Sequence, residues 1–317
     1  MYSTYPDIIL KIKKTLKKIN LTALGEPPEI FVEKKLRFYH ALCETKNREK
    51  VFFKSLLKKE KDIKNRFSNE INFLKTLEGK PEYPLSKFVP RVLDFSLDPD
   101  FPYLLYKFLP GKSRERKDKF SQKEIEKIVK LIKIINSSKK NFKLVPNEPF
   151  FNFLSYQKKI NSFFKKIKIS IKTKREIKKF IKKNEKVFYQ VKLALTHGDF
   201  SEANLIFYKG KIKIIDWEHI QIRNPLYDFV GFWLKRKNHP KEQKILKDEY
   251  FKKGKSKILA VLFKLALIEI CLRDLMFFEE MLEILKTFKE NTKIKEAKVA
   301  RKKEIKETLN LFEKEFA

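Results

Sequence analysis

Apolar positions change their spacing several times along the chain. Near the start, Ile8, Ile9, Ile12, Leu16 and Ile19 recur at helical intervals with lysines opposite, which predicts a surface helix within residues 1–20. From Glu29 to about Leu57 the pattern favours strands, clearest at Phe38–Leu42 and Val51–Leu57, joined by the polar turn Lys46-Asn47-Arg48-Glu49. Asp62 to Leu77 reads as a helix with Phe67, Ile71, Leu74 and Leu77 on one stripe. Gly79 follows, where a helix end wants a residue tolerant of positive φ. Pro90–Phe95 and Tyr103–Phe108 are expected strands around a turn at Asp98-Pro99-Asp100, the second ending at Pro110-Gly111.

Beyond Gly111 the periodicity is mostly helical. Ser121 and Glu124 form a capping-box pattern ahead of Ile125, Ile128, Val129, Leu131 and Ile132. Further helical patterns cover Phe151 to about Leu195 and about Lys244 to Phe316. The most apolar stretch, Ile258–Leu272, is interrupted by Lys264 and Glu269 and falls short of the ~20 apolar residues of a membrane span, so it reads as a core helix. One passage departs from helix. Leu205–Tyr208, then Lys209-Gly210, then Lys211–Ile215 reads as a tight β-hairpin. The expected class is α+β in two lobes: a strand-rich lobe with one long helix over residues 1–107, and a mainly helical lobe over 108–317 carrying the hairpin.

Composition changes this picture little. The 317 residues carry 74 Lys+Arg against 40 Asp+Glu, a formal charge of +34. Such a balance points either to a nucleic-acid or anionic-membrane partner or to a drift of composition toward lysine. The lysines crowd every segment and only 7 residues are Gly, so drift is preferred and no specific nucleic acid is expected. Cys43 and Cys271 have no metal spacing and apolar neighbours, which suits small buried hydrophobes and a reducing, cytoplasmic setting. Met1–Asn20 lacks the apolar run of a signal peptide.

The stretch that carries chemistry is Thr196-His197-Gly198-Asp199-Phe200-Ser201-Glu202-Ala203-Asn204, followed by the hairpin and Asp216-Trp217-Glu218. Phosphoryl transfer asks for a carboxylate that orients the attacking hydroxyl and takes its proton, and for oxygen ligands to a magnesium ion bridging the phosphates. Asp199 with Asn204 five positions on, and Asp216 at the end of the next hairpin strand, can meet that need around one metal. Singly, each also reads as a turn, cap or strand-end residue. His197 with Gly198 suits loop support better than proton transfer, and Glu218 is either a helper near the metal or substrate or a solvated acid.

The segment Leu195–Trp233, with His197-Gly198-Asp199, Asn204, Ile215-Asp216-Trp217-Glu218 and Asn224-Pro225-Leu226-Tyr227-Asp228, resembles the aminoglycoside phosphotransferase and choline kinase superfamily. Pro90–Phe95 and Tyr103–Gly111 are similar to that family's strand and hinge. The resemblance implies a protein-kinase-like fold and an enzyme that uses ATP and Mg²⁺ to phosphorylate a hydroxyl of a small molecule: an aminoglycoside, choline, ethanolamine or a sugar-like metabolite. It implies Asp199 as catalytic base and Asn204 and Asp216 as magnesium ligands. It places Lys54 at the phosphate-contacting strand lysine, with Lys58 or Lys59 nearby as rivals, and Glu70 as its helix partner. Adenine would meet the backbone of Lys107 and Leu109, and Asp228 would brace the catalytic loop. One departure concerns the turn that covers the phosphates, often glycine-containing in the family. Here Glu33-Lys34-Lys35-Leu36-Arg37 has no glycine, which puts phosphate closure in question.

A protein kinase is disfavoured, since no Asp-Phe-Gly or Ala-Pro-Glu signature bounds an activation segment. The rival from another class is a catalytically inactive kinase-like module that binds RNA or a protein. For the acceptor, Glu269, Asp274, Glu279, Glu280 and Glu283 could attract a cation, and Trp217, Trp233 and Phe277 could face a quaternary ammonium. A solvated helix face for the acids and core packing for the aromatics are the preferred readings.

Overall fold

The computed structural model describes residues 5–25, 37–57, 60–98, 101–138, 142, 144–145, 151–252, 254, 256–288 and 290–316. They fall into two compact units. The first comprises Met1–Asp118, Ser137–Asn147 and His197–Gln221; the second comprises Lys119–Asn136, Glu148–Thr196 and Ile222–Ala317.

The first unit is built on a five-stranded antiparallel sheet in the order β1-β2-β3-β5-β4, with β1 Leu21–Ala23, β2 Phe38–Thr45, β3 Lys50–Leu56, β4 Val92–Ser96 and β5 Tyr103–Lys107. Side chains alternate across a strand, and that sets the architecture. Tyr39, Cys43, Val51, Phe53 and Leu105 form a core with Ile12 and Leu16 of helix α1 (Tyr5–Lys18) and with Leu21. The opposite parity of β3 sends Lys54, paired in register with His40 and Leu104, to the other face. Helix α2 (Lys61–Leu77) buries Ile63, Phe67, Ile71, Phe73, Leu74 and Leu77. Each such burial is worth about 1.5–3 kcal/mol. The expected helical stripe is therefore present. The short strand β1 was not anticipated.

The second unit is helical: α3 (Gln122–Ser137), α4 (Phe153–Lys166), α5 (Ile171–Lys183), α6 (Glu185–Gln190), α7 (Tyr227–Lys235), α8 (Pro240–Tyr250), α9 (Lys257–Lys286) and α10 (Thr292–Phe316). Near it in sequence run the short strands β6 (Ala194–Thr196) and β9 (Gln221–Arg223). The capping box forms as read: Ser121 N–H donates to Glu124 Oε2 at 2.8 Å and Glu124 N–H to Ser121 Oγ at 3.4 Å. Ile258–Leu272 lies within α9 and is buried along most of its length. Among the described residues no helix is long and apolar enough to cross a membrane. Helix α7 lies outside the expected helical tracts, and the one expected from about Lys244 onward is divided among α8, α9 and α10.

Candidate active site

The expected hairpin joins β7 (Leu205–Tyr208) to β8 (Lys211–Ile214), with Leu205 paired to Ile214. Its two turn residues both have positive φ, Lys209 at 45° and Gly210 at 71°, the backbone that matches the twist of a two-residue hairpin. The hairpin returns the chain beside Asn204, whose carbonyl accepts from Ile215 N–H at 3.0 Å. Asp216 then takes a left-handed conformation (φ 63°, ψ 64°), one that Asp tolerates better than most side chains.

That turn brings Asp216 to Lys54. Lys54 Nζ lies 2.7 Å from Asp216 Oδ1 and 2.6 Å from Glu70 Oε2, and its ammonium sits 4.5 Å from the Phe38 ring centroid. Glu70 Oε1 accepts Trp217 N–H at 3.1 Å, so one helix carboxylate fixes both the strand lysine and the backbone next to Asp216. Lys54 and Glu70 are each 1% exposed. Burial would lower Lys54, but the flanking carboxylates of Asp216 and Glu70 hold it above its ordinary value. The two acids share one base and move apart. Burial raises Glu70 to about 7 against the pull of Lys54. Burial also works on Asp216, yet the contact with Lys54 overrides it and holds that carboxyl at about 2. Of the rival lysines, Lys58 and Lys59 lie outside the described residues.

The loop before the hairpin is tied at three points. His197 is fully buried, its Nε2 3.0 Å from Ile215 O and its Nδ1 accepting Asp199 N–H at 3.3 Å, the pattern of a neutral Nε2–H tautomer. Its ring packs 4.5 Å from that of Trp217, which in turn packs on Phe73. Asn204 Nδ2 donates to Asp199 O at 2.9 Å and to Asp199 Oδ2 at 3.3 Å. Gly198 (φ 84°) permits the approach, since a Cβ there would lie 2.2 Å from His219 O.

Sequence reading missed an adjoining network. Arg37 Nη2 and His219 Nε2 both reach Glu218 Oε1, at 3.2 and 3.0 Å, and Arg66 Nη1 lies 3.4 Å from His219 Nδ1. Burial would raise Glu218, but its hydrogen bond from His219 leads the interactions that hold it below its ordinary value. Glu218 is therefore buried and paired, not solvated. The only advance signal was the adjacency of His219 to Glu218. Of the turn Glu33-Lys34-Lys35-Leu36-Arg37, only Arg37 falls within the described residues.

At the end of β5, Lys107 N–H donates to Arg91 O at 2.9 Å, while among the described residues Leu109 N–H has no backbone or side-chain acceptor. A cavity of about 440 Å³ flanks Lys107–Pro110, but Leu74, Leu77, Val89 and Pro90 line it and the Lys54 cluster does not.

The donors around Asp216 suit a magnesium ion held partly by phosphate. Asp216 is 32% exposed, Asn204 commits its amide nitrogen and leaves its carbonyl oxygen, and Glu218 Oε2 is buried without a hydrogen-bond partner. Among the described residues no three His, Cys, Asp or Glu side chains form a metal-holding group. A hard cation here needs further oxygens, which nucleotide phosphates supply.

In the helical unit the acceptor readings divide. Glu269, expected on a solvated face, is buried and lies 2.7 Å from Lys159 and 3.8 Å from Arg223. Its charge is spent inside the fold. Asp274 pairs with Arg273 and Glu283 with Lys286. Trp233 here and Trp217 in the first unit are core residues as preferred, whereas Phe277 is 46% exposed. Asp228 is buried on α7, with Tyr250 among its electrostatic neighbours.

A sequence profile of the phosphotransferase enzyme family (APH) matches residues 56–257, the span holding Glu70, Asp199, Asn204 and Asp216. The chain belongs to that family. It is a phosphotransferase that acts on a hydroxyl acceptor. Among curated protein sequences none matches it. Solved structures with the same protein-kinase-like fold include choline kinase LicA from Streptococcus pneumoniae, with TM-score 0.62, 16% identity, and coverage of 96% of this chain and 99% of that one. Spectinomycin phosphotransferase APH(9)-Ia, solved with ADP and spectinomycin, has TM-score 0.58, 13% identity and coverage of 96% and 97%. An ethanolamine kinase from Plasmodium vivax has TM-score 0.57, 13% identity and coverage of 96% and 89%.

Proposed function

We propose that this phosphotransferase uses ATP with Mg²⁺ and transfers the γ-phosphoryl group to an alcohol of a small metabolite or antibiotic, with residues 1–107 as nucleotide lobe and 108–317 as catalytic and substrate lobe. The observation that carries the reading is the convergence of Lys54, Glu70 and Asp216 within 2.7 Å contacts, although 16 residues separate the first two and 162 separate Lys54 from Asp216. A lysine fixed between carboxylates has no fold-wide reason to be buried, and phosphate oxygens are the ligand its charge suits.

When bound, Mg·ATP supplies a phosphoryl group whose charge the metal offsets. The protein's share is positioning. Lys54 would hold phosphate oxygens, with Glu70 aiming it, and Asp216 with the side-chain oxygen of Asn204 would hold the metal. The half-buried Asp199 accepts the proton of the acceptor hydroxyl, its backbone and carboxylate pinned by Asn204. The carbonyl of Lys107 and the N–H of Leu109 would meet the adenine edge. The intact acid–amide–acid set supports this reading over an inactive binding module, and no specific nucleic acid belongs to it.

The test is incubation with Mg·ATP and a panel of amino alcohols, amino sugars, macrolides and sugars, read by mass spectrometry for addition of one phosphoryl group. On the acceptor so found, Asp199→Asn should keep the fold and lower turnover roughly 10²–10⁴-fold. Turnover equal to wild type would remove Asp199 from the mechanism.

A further inference from the structure

Arg37 is the last residue of the glycine-free stretch Glu33-Lys34-Lys35-Leu36-Arg37, and the fold fixes its own position. Its carbonyl accepts Leu57 N–H at 2.8 Å, one step beyond the Phe38–Leu56 pair, so its backbone is locked to the strand that carries Lys54. Its guanidinium reaches Glu218, two residues past Asp216, at 3.2 Å. It also lies 6.0 Å from the centroid of Phe38, the same ring that Lys54 covers at 4.5 Å. Two cations, one on β3 and one immediately before β2, thus share one ring and both contact the Asp216–Glu218 segment.

This second cation answers a specific need. Charge spreads over the equatorial oxygens of a transferring phosphoryl group and calls for preorganised donors. Backbone amides of a glycine turn can supply them because no side chain blocks close approach. Glu33-Lys34-Lys35-Leu36-Arg37 contains no glycine. A guanidinium offers five N–H groups in a planar fork that matches phosphate oxygens in pairs. Arg37 contacts Glu218 through Nη2, and its side chain is 39% exposed, which leaves donors for an oxyanion.

We propose that Arg37 is a catalytic residue that binds the terminal phosphoryl group of the nucleotide, doing with a side chain what a glycine turn does with backbone amides; this rests on the nucleotide reading above. Glu218 aims the guanidinium. In the transfer, the bond from the γ-phosphorus to the β–γ bridging oxygen breaks and its electron pair leaves with ADP. The acceptor oxygen forms the new bond, and its proton goes to Asp199. Arg37 keeps its protons throughout and donates hydrogen bonds to the moving group.

The experiment is calorimetric binding of Mg·ADP and of the Mg complex of the β,γ-imido ATP analogue to the wild type, Arg37→Ala and Arg37→Lys. Losing a charge-assisted hydrogen bond should weaken the analogue about 10-fold or more in Arg37→Ala while ADP stays within about 2-fold, with partial recovery in Arg37→Lys. Equal losses for both ligands, or none, would overturn the proposal and leave the nucleotide site standing. A wild type that binds neither ligand would overturn both. Should Arg37→Ala fail to fold, Arg37→Gln carries the same comparison.

Discussion

Lys54 lies 2.6 Å from Glu70 and 2.7 Å from Asp216, so one ammonium serves two buried or half-buried carboxylates. Their titrations then contribute to stability with opposite sign. Asp216, held at about 2 below its ordinary 3.8, contributes stability that is present above pH 3.8 and lost as the pH falls through 2. Glu70, raised from 4.5 to about 7, contributes stability that is full below 4.5 and lost as the pH rises through 7. Glu70→Gln should therefore remove the decline in stability between pH 4.5 and 7 and keep the loss below pH 4. Denaturant melts across that range decide it, and an unchanged slope between 4.5 and 7 would contradict the assignment. Of this cluster, Asp216 stood out in the sequence through its spacing from Asn204, whereas Lys54 and Glu70 were placed only by the family resemblance, since no local pattern distinguishes them in so lysine-rich a chain. Arg37 and Glu218 were not joined in advance, since nothing local links positions 181 residues apart. The solvated reading of Glu269 failed for a related reason: Lys159, its partner, lies 110 residues away on α4.

Elements with a strong local signature were equally legible. The β7–β8 hairpin shows itself through Lys209-Gly210, the α3 start through Ser121 and Glu124, and α2 through its apolar stripe. Helix α7 lacks such a mark because Phe229, Val230, Phe232 and Trp233 are all buried, which erases the alternation of apolar and polar faces. Strand β1 has only three residues and offers no period to detect. The loop before the hairpin is the element whose shape the site depends on, and its glycine allows a sharp comparison. Gly198 and Gly79 both have positive φ, at 84° and 66°, but a Cβ at Gly79 meets nothing within 4 Å, whereas one at Gly198 meets backbone. Gly79→Ala should cost about 1 kcal/mol and preserve stabilisation by Mg·ATP. Gly198→Ala must displace the loop from His219, taking Asp199 and Asn204 with it, and should abolish that stabilisation. Melting curves with and without Mg·ATP distinguish the two, and a ligand shift retained in Gly198→Ala would show that the loop tolerates the change.

At the scale of the whole molecule, the excess of 74 basic over 40 acidic residues could mask a binding module that merely attracts anions, so the useful test separates specific from general attraction. A surface that gathers ATP by charge alone would bind it without magnesium and weaken steadily with salt. A site that shares a metal between Asp216, Asn204 and phosphate couples the two ligands, because each completes the other's coordination. Magnesium and ATP together should then stabilise the fold by more than the sum of their separate effects. At about 100 times the dissociation constant, linkage gives about 2.7 kcal/mol. For a chain of this size the midpoint should rise on the order of 5 °C. Asp216→Ala should lose most of the joint rise, since the phosphates lose their bridged metal. Lys54→Ala should lose only the phosphate contact, though its removal also leaves Glu70 buried without its cation and should lower the starting midpoint, a cost of about 3–5 kcal/mol for breaking a buried pair. The measurement is a melting series with ATP, with magnesium and with both, on the three proteins at low and physiological salt. A joint shift that survives salt and vanishes in Asp216→Ala supports a working nucleotide site. Shifts that merely add, or that Asp216→Ala retains, would assign the attraction to bulk charge and remove the basis for ATP as the donor.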